Sequence, residues 1–138
     1  MLNRLQHLSK KQSLFLFGPR GVGKSTLIES LFPEESSLNI NLLRPDVENH
    51  FTTHPEDLKA IVEALGESTT HVIIDDIQKT PKLLDIVHFL IEKTSKHFVM
   101  SGSSVRKLKR GAANLLAGRA FVYHFAPFSM KSHLQHRC

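Results

Sequence analysis

Apolar positions along the chain fall into short blocks of alternating kind. Leu14-Phe15-Leu16-Phe17 is an unbroken apolar run opened by Ser13, the pattern of a strand buried on both faces of a parallel sheet. Beyond a glycine-rich turn, Leu27, Ile28 and Leu31 form a helical stripe that stops before Pro33. Leu38 to Leu43 sets Leu38, Ile40 and Leu42 against Asn39 and Asn41, a second and less buried strand, closed by Pro45. Pro55, with Glu56 and Asp57 behind it, predicts a helix carrying Leu58, Ile61, Val62 and Leu65 on one face, with Gly66 as its stop. His71-Val72-Ile73-Ile74 is a third strand and ends in Asp75 and Asp76. From Pro81 to about Thr94 a helix turns Leu83, Leu84, Ile86, Val87 and Leu90 inward. His97 to Met100 is a fourth strand, running out into Ser101-Gly102-Ser103-Ser104. Val105 to Leu116 has helical character despite Gly111, and Ala120 to Phe125 is a fifth strand closed by Pro127. Ahead of all these, Leu2, Leu5 and Leu8 predict a short amphipathic helix ending near Lys10.

Strands and helices alternate throughout, which predicts an α/β fold with a largely parallel sheet and helices on both faces. There is no internal repeat, low-complexity tract or linker, so residues 1–138 read as one domain. At 41% hydrophobic and 22% charged residues the balance is globular, and the longest apolar runs fall far short of a membrane span. Polar residues from His7 to Gln12 stand where a signal peptide needs its apolar region, which points to the cytosol. Cys138 is the single cysteine, so no intrachain disulfide and no cysteine-rich zinc site can form. The net charge of +5 suggests polyanionic partners without choosing among them. The aromatic residues are not interleaved with the basic ones as a base-stacking surface requires, so nucleic acid ranks behind nucleotide.

The turn after the first strand narrows the choice. Gly18-Pro19-Arg20-Gly21-Val22-Gly23-Lys24-Ser25 fits G-x-x-x-x-G-K-[ST] between a buried strand and a helix, the context in which that motif binds phosphate. Its glycines let successive backbone N–H groups, from about Gly21 to Thr26, converge on phosphate oxygens. The positive end of the following helix points to the same spot. Lys24 is expected to reach the β and γ phosphates and the Ser25 hydroxyl to ligate Mg²⁺.

Asp75 and Asp76 close the third strand at the sheet edge where open α/β sheets bind ligands, which is also the edge of the phosphate loop. One carboxylate there can hold Mg²⁺ and the next can orient or deprotonate a water for attack on the γ-phosphorus. Asp75 is assigned to the metal and Asp76 to the water.

Several ordered motifs together carry a family resemblance. Gly18-Pro19-Arg20 with Gly23-Lys24-Ser25-Thr26, Ile74-Asp75-Asp76-Ile77-Gln78-Lys79, Ser101-Gly102-Ser103-Ser104 with Lys107-Leu108, Leu115-Leu116-Ala117-Gly118-Arg119 and Pro127-Phe128-Ser129 resemble the AAA-type ATPase domain of prokaryotic ATPases that usually carry a DUF4143 C-terminal region. The resemblance covers nearly the whole chain. It implies a P-loop NTPase three-layer sandwich with five strands in the order 5-1-4-3-2, binding of ATP with Mg²⁺, and Asp75 as the Walker B metal ligand. It also implies that Ser101 and Ser103 occupy the sensor region that contacts the γ-phosphate or the attacking water. Family members generally have Glu where this chain has Asp76, one methylene shorter. They also continue well past Pro-Phe-Ser into a larger C-terminal region, so the chain is expected to be a fragment, a truncated reading frame or an excised domain lacking it.

The remaining charged residues are less specific. Arg119, before the last strand, could bring positive charge to the γ-phosphate from the same chain or from a neighbouring subunit, with Arg20 a weaker competitor. Arg106, Lys107, Lys109 and Arg110 form a basic run, more often a solvated face than a contact to nucleic-acid phosphates. Of nine histidines, His50 and His54 are four apart, but Pro55 argues against one continuous helix through them and no Glu completes an H-E-x-x-H site. His133, His136 and Cys138 sit in a tail expected to be loose, and no transition-metal site is predicted.

These residues predict a P-loop domain that binds ATP with Mg²⁺ and hydrolyses it to ADP and phosphate. Two other readings stay open: a nucleotide-dependent binding module or truncated remnant with little turnover, and a nucleic-acid-associated ATPase.

Overall fold

A computed structural model of the chain describes residues 13–19, 24–103, 120–125 and 132–135. Among them are strands β1 (Ser13–Phe17), β2 (Ser37–Asn41), β3 (His71–Asp75), β4 (His97–Gly102), β5 (Ala120–Phe125) and β6 (Ser132–Gln135). The helices are α1 (Lys24–Leu31), α2 (Pro45–Thr53), α3 (Asp57–Glu63) and α4 (Leu83–Lys93). The expected helices over residues 2–10 and 105–116 lie outside the described residues.

The strands form one sheet in the order β2-β3-β4-β1-β5-β6. Read from the other side, its first five strands follow the expected order 5-1-4-3-2. All pairings among β1 to β5 are parallel, with Leu14 beside both Val99 of β4 and Phe121 of β5. A sixth strand joins the five expected ones: Ser132–Gln135 pairs antiparallel with β5, placing Leu134 opposite Tyr123. An antiparallel edge strand needs only a short return of the chain, whereas each parallel neighbour needs a crossover.

Strand alternation assigns each side chain to one of two layers. Leu14 and Leu16 of β1, Ile73 of β3 and Val99 of β4 pack with Leu27, Ile28, Leu31 and Phe32 from α1 and its exit. Phe15 and Phe17, Val72 and Ile74, Phe98 and Met100 point to the opposite face, against Leu58 and Val62 of α3 and Leu83, Leu84, Val87 and Leu90 of α4. The apolar runs of β1, β3 and β4 are thus explained by helices on both sides, since each residue has a layer to enter. Truncating one of the fully buried leucines, such as Leu58 or Leu90, to alanine should cost about 2–5 kcal/mol.

β2 differs because only one of its faces is apolar. Leu38 and Ile40 join the α3/α4 layer, while Ser37, Asn39 and Asn41 line a cavity of about 630 Å³ beside α1, together with Glu29, Glu34 and Asp75. Beyond β2 the chain does not simply stop at Pro45: this residue is the first of α2, which anchors itself through the buried Phe51. Pro fits there because a first-turn N–H has no intrahelical partner to lose. His50 lies within this helix and His54 caps it, the His54 N–H donating to the His50 carbonyl at 2.8 Å. Both rings face carboxylates, His50 Nε2 lying 2.8 Å from Asp57 and His54 Nδ1 lying 3.6 Å from Glu56. Among the described residues no helix is long and apolar enough to cross a membrane.

Candidate nucleotide site

β1, β3 and β4 end at the same sheet edge, and the residues singled out in the sequence converge there. The Gly18 N–H donates to the Gly102 carbonyl at 3.1 Å, extending the β1/β4 ladder past the last paired residues. Lys24, the first residue of α1, reaches back across this junction. Its ammonium donates to the Gly102 carbonyl at 2.8 Å and to the Gly18 carbonyl. The first turn of α1 contains no acidic side chain, so its positive end is not offset by a resident carboxylate. Thr26 and Pro19 are exposed.

Asp75, half-buried at the end of β3, accepts a hydrogen bond from the Ser101 hydroxyl at 2.9 Å. Burial raises its pKa above the ordinary carboxylate value, a push that the Ser101 hydrogen bond opposes; the Asp76 charge adds to it and the Lys24 charge offsets it. Ser101 also accepts the Asp76 N–H, at 3.3 Å. One hydroxyl therefore serves both residues of the acidic pair, which is why the polar end of β4 belongs to the site.

Asp76 turns the chain. With φ 61° and ψ 52° it is the sole non-glycine residue at positive φ among the described residues. Asp tolerates this left-handed conformation better than most residues. The turn leads into a short 3₁₀ segment, Ile77–Lys79, whose Ile77 is fully buried. Asp76 itself is buried, and its carboxylate accepts a hydrogen bond from the Gln78 amide at 3.1 Å.

Lys24, Asp75, Asp76 and Ser101 are thus brought to one edge, joined by Gly18 and the backbone of Gly102. Ser103 follows β4 directly, half-buried in a bend. Arg20, Gly21, Val22, Gly23, Arg119, the basic run Arg106 to Arg110, His136 and Cys138 lie outside the described residues, as do the side chains of Ser25 and His133. Sequence reasoning did not single out Gln78 or Gly102. The available signal was their presence in the two quoted motifs, but the partnership of Gln78 with Asp76 depends on a backbone turn that residue types alone do not specify.

An oxygen-only donor set of this kind suits a hard divalent cation such as Mg²⁺. Asp75 supplies a carboxylate whose Oδ1 is already oriented by Ser101, and its raised pKa marks a desolvated charge that a cation would compensate.

Comparison with known proteins gives the family and the fold. A family model described as an AAA domain matches residues 10–134. No curated protein matches the chain. Among solved structures, the chain is similar to the Aeropyrum pernix ORC1 protein in complex with DNA, with a TM-score of 0.57 and 16% identity over 88% of this chain and 43% of that one. It is also similar to Drosophila ORC bound to DNA, with a TM-score of 0.55 and 10% identity over 94% of this chain and 90% of that one. A third likeness, to Drosophila ORC bound to GC-rich DNA and Cdc6, has a TM-score of 0.54 and 12% identity, covering 93% of this chain and 59% of that one. The chain thus spans less than two thirds of the first and third of these structures, and at such identities the likeness is one of fold. With the family model covering nearly its full length, the chain belongs to the AAA domain family and has its P-loop ATPase fold.

Proposed function

We propose that this domain binds ATP together with Mg²⁺ and hydrolyses it to ADP and phosphate. The observation that carries the reading is Lys24, whose ammonium is held at the junction of β1 and β4 by the carbonyls of Gly18 and Gly102, on the same edge as Asp75. A cation resting on neutral carbonyls exchanges them readily for phosphate oxygens, which bind it more strongly. Backbone N–H groups from about Gly21 to Thr26 would hold the remaining phosphate oxygens, with α1 contributing its positive end.

Asp75 and the Ser25 hydroxyl are the residues to hold the metal, Ser101 fixing the Asp75 carboxylate from behind. Bound Mg²⁺ would neutralise charge on the phosphate oxygens. Asp76 is the candidate to orient the attacking water and take its proton as oxygen bonds to the γ-phosphorus and the bond to the β-phosphate oxygen breaks. Ser103, together with Ser101, is the candidate to contact the γ-phosphate or the attacking water, and Arg119 is the candidate for added positive charge, from this chain or a second copy.

The test is Mg²⁺-dependent ATP hydrolysis by the purified chain over a range of protein concentrations, with Lys24→Ala in parallel. Turnover that disappears in the variant supports the reading, and specific activity that rises with concentration supports an arginine shared between copies. Nucleotide binding without turnover favours the second reading, a nucleotide-dependent binding module. Its motivating observation is that the short Asp76 side chain is buried and already engaged by Gln78.

A nucleic-acid role is the third reading, and it draws on the net charge of +5 and on neighbours solved with DNA. Duplex affinity that fails to fall with rising salt would count against it.

A further inference from the structure

The Gln78 amide faces two ways. Its nitrogen donates to Asp76 Oδ1 at 3.1 Å, while its oxygen is buried and has no hydrogen-bond partner among the described residues. The oxygen sits against Gly102: a Cβ at that position would lie 2.5 Å from Gln78 Oε1 and 3.2 Å from the Phe17 ring. With the amide in this position, a Cβ at residue 102 would have to displace it. Gly102 is also the residue whose carbonyl receives both the Gly18 N–H and the Lys24 ammonium.

A buried amide oxygen without a partner carries a desolvation cost that an exposed glutamine would avoid. The chain keeps this one in a place where the other end of the same amide fixes a carboxylate. The left-handed turn at Asp76 brings residues 76 and 78 together, and Ile77 between them is fully buried. We propose that Gln78 is a positioning residue for hydrolysis: its amide nitrogen fixes the Asp76 carboxylate and its amide oxygen seats on Gly102, so that the acid and the strand end that receives the Lys24 ammonium are set as one unit. The inference rests on the reading of Asp76 as the group that acts on water.

The experiment uses the full chain and the variants Gln78→Ala, Asp76→Ala and both together. In two-dimensional ¹H–¹⁵N spectra, the Gln78 side-chain amide is assigned by its absence from Gln78→Ala and is expected to shift in Asp76→Ala. In hydrolysis, Gln78→Ala is expected to lower kcat roughly tenfold. Its ATP affinity should stay within about twofold, because the residue acts through the acid and not on the nucleotide. Adding Gln78→Ala to Asp76→Ala should cost nothing further.

Gly102→Ala gives an independent arm. It should destabilise the wild-type chain and do so measurably less in the Gln78→Ala background, where the new methyl meets no amide. Full kcat in Gln78→Ala beside a dead Asp76→Ala would overturn the inference and leave the ATPase reading standing. Full turnover in Asp76→Ala would remove the reading of Asp76, and the inference with it. If the chain shows no turnover, the spectra and the Gly102 coupling decide: an amide signal unmoved by Asp76→Ala, or equal destabilisation in both backgrounds, overturns the inference.

Discussion

The Ser101 hydroxyl donates to Asp75 Oδ1 at 2.9 Å and in the same position accepts the Asp76 N–H at 3.3 Å. The ends of β3 and β4 are therefore joined by a side chain as well as by the sheet ladder. Ser101→Ala should lower unfolding free energy by about 1–3 kcal/mol, because the Asp76 N–H and an Asp75 oxygen both lose a buried partner. Urea denaturation would measure it, and a loss within error of zero would show that water replaces the hydroxyl.

Asp75→Asn separates folding from metal binding. The neutral amide removes a carboxylate whose charge burial disfavours, so without divalent metal the variant should be at least as stable as the wild type at neutral pH. The sign follows from the direction of the shift. A folded-state pKa raised above the ordinary carboxylate value of 3.8 means the ionised acid costs stability above the raised value, and the cost fades as pH falls through it towards 3.8. Mg²⁺ with ATP should raise the melting temperature of the wild type and not of the variant. Equal stabilisation of both would remove Asp75 from the metal site.

Backbone conformation at residue 76 makes a third expectation. Asp76→Gly and Asp76→Asn keep a residue at ease at φ 61°, whereas Asp76→Ala forces a Cβ into the left-handed region without a local polar group. The alanine variant should be less stable than the glycine variant by about 1–2 kcal/mol. Thermal or urea midpoints of the three variants would check the order.

His97 predicts the response to acid. Burial holds its pKa below 6.5, and its ring lies 5.4 Å from that of His71 on the neighbouring strand. The unfolded chain takes up a proton at a pH where the folded one resists it. This contribution to stability is therefore complete above 6.5 and is lost as pH falls from 6.5 through the lowered folded value. His97→Gln should flatten that part of the profile of urea midpoint against pH, and an unchanged slope would assign it to other groups.

Much of the fold was legible because burial on both faces leaves a plain mark. Leu14 to Phe17 and Val72 to Ile74 are apolar at every position, and each occupies the strand they predict. Helix α2 left no such mark, since Val47 and Phe51 are its apolar residues and Phe51 alone is buried. Pro45 looked like a stop and is a start, because the same ring that ends a strand suits a first helical turn. β6 depends on pairing with β5, a property of its partner more than of Ser132 to Gln135. In the site, Lys24 and Asp75 could be found from motif spacing and strand ends. The Gln78 contact could not, because it turns on the sign of φ at Asp76.

The position of β1 in the sheet sets an order of events during synthesis. β1 lies between β4 and β5, so the first of the described strands to leave the ribosome waits for the fourth and fifth before either of its edges is paired. Non-local pairing of this kind is slow to form. Until residue 102 has emerged there is no Gly102 carbonyl to receive Lys24, so the junction that seats its ammonium cannot form however much of the N-terminal half is complete. During that interval Leu14-Phe15-Leu16-Phe17 is an apolar strand with both edges unpaired, open to wrong pairing with another chain.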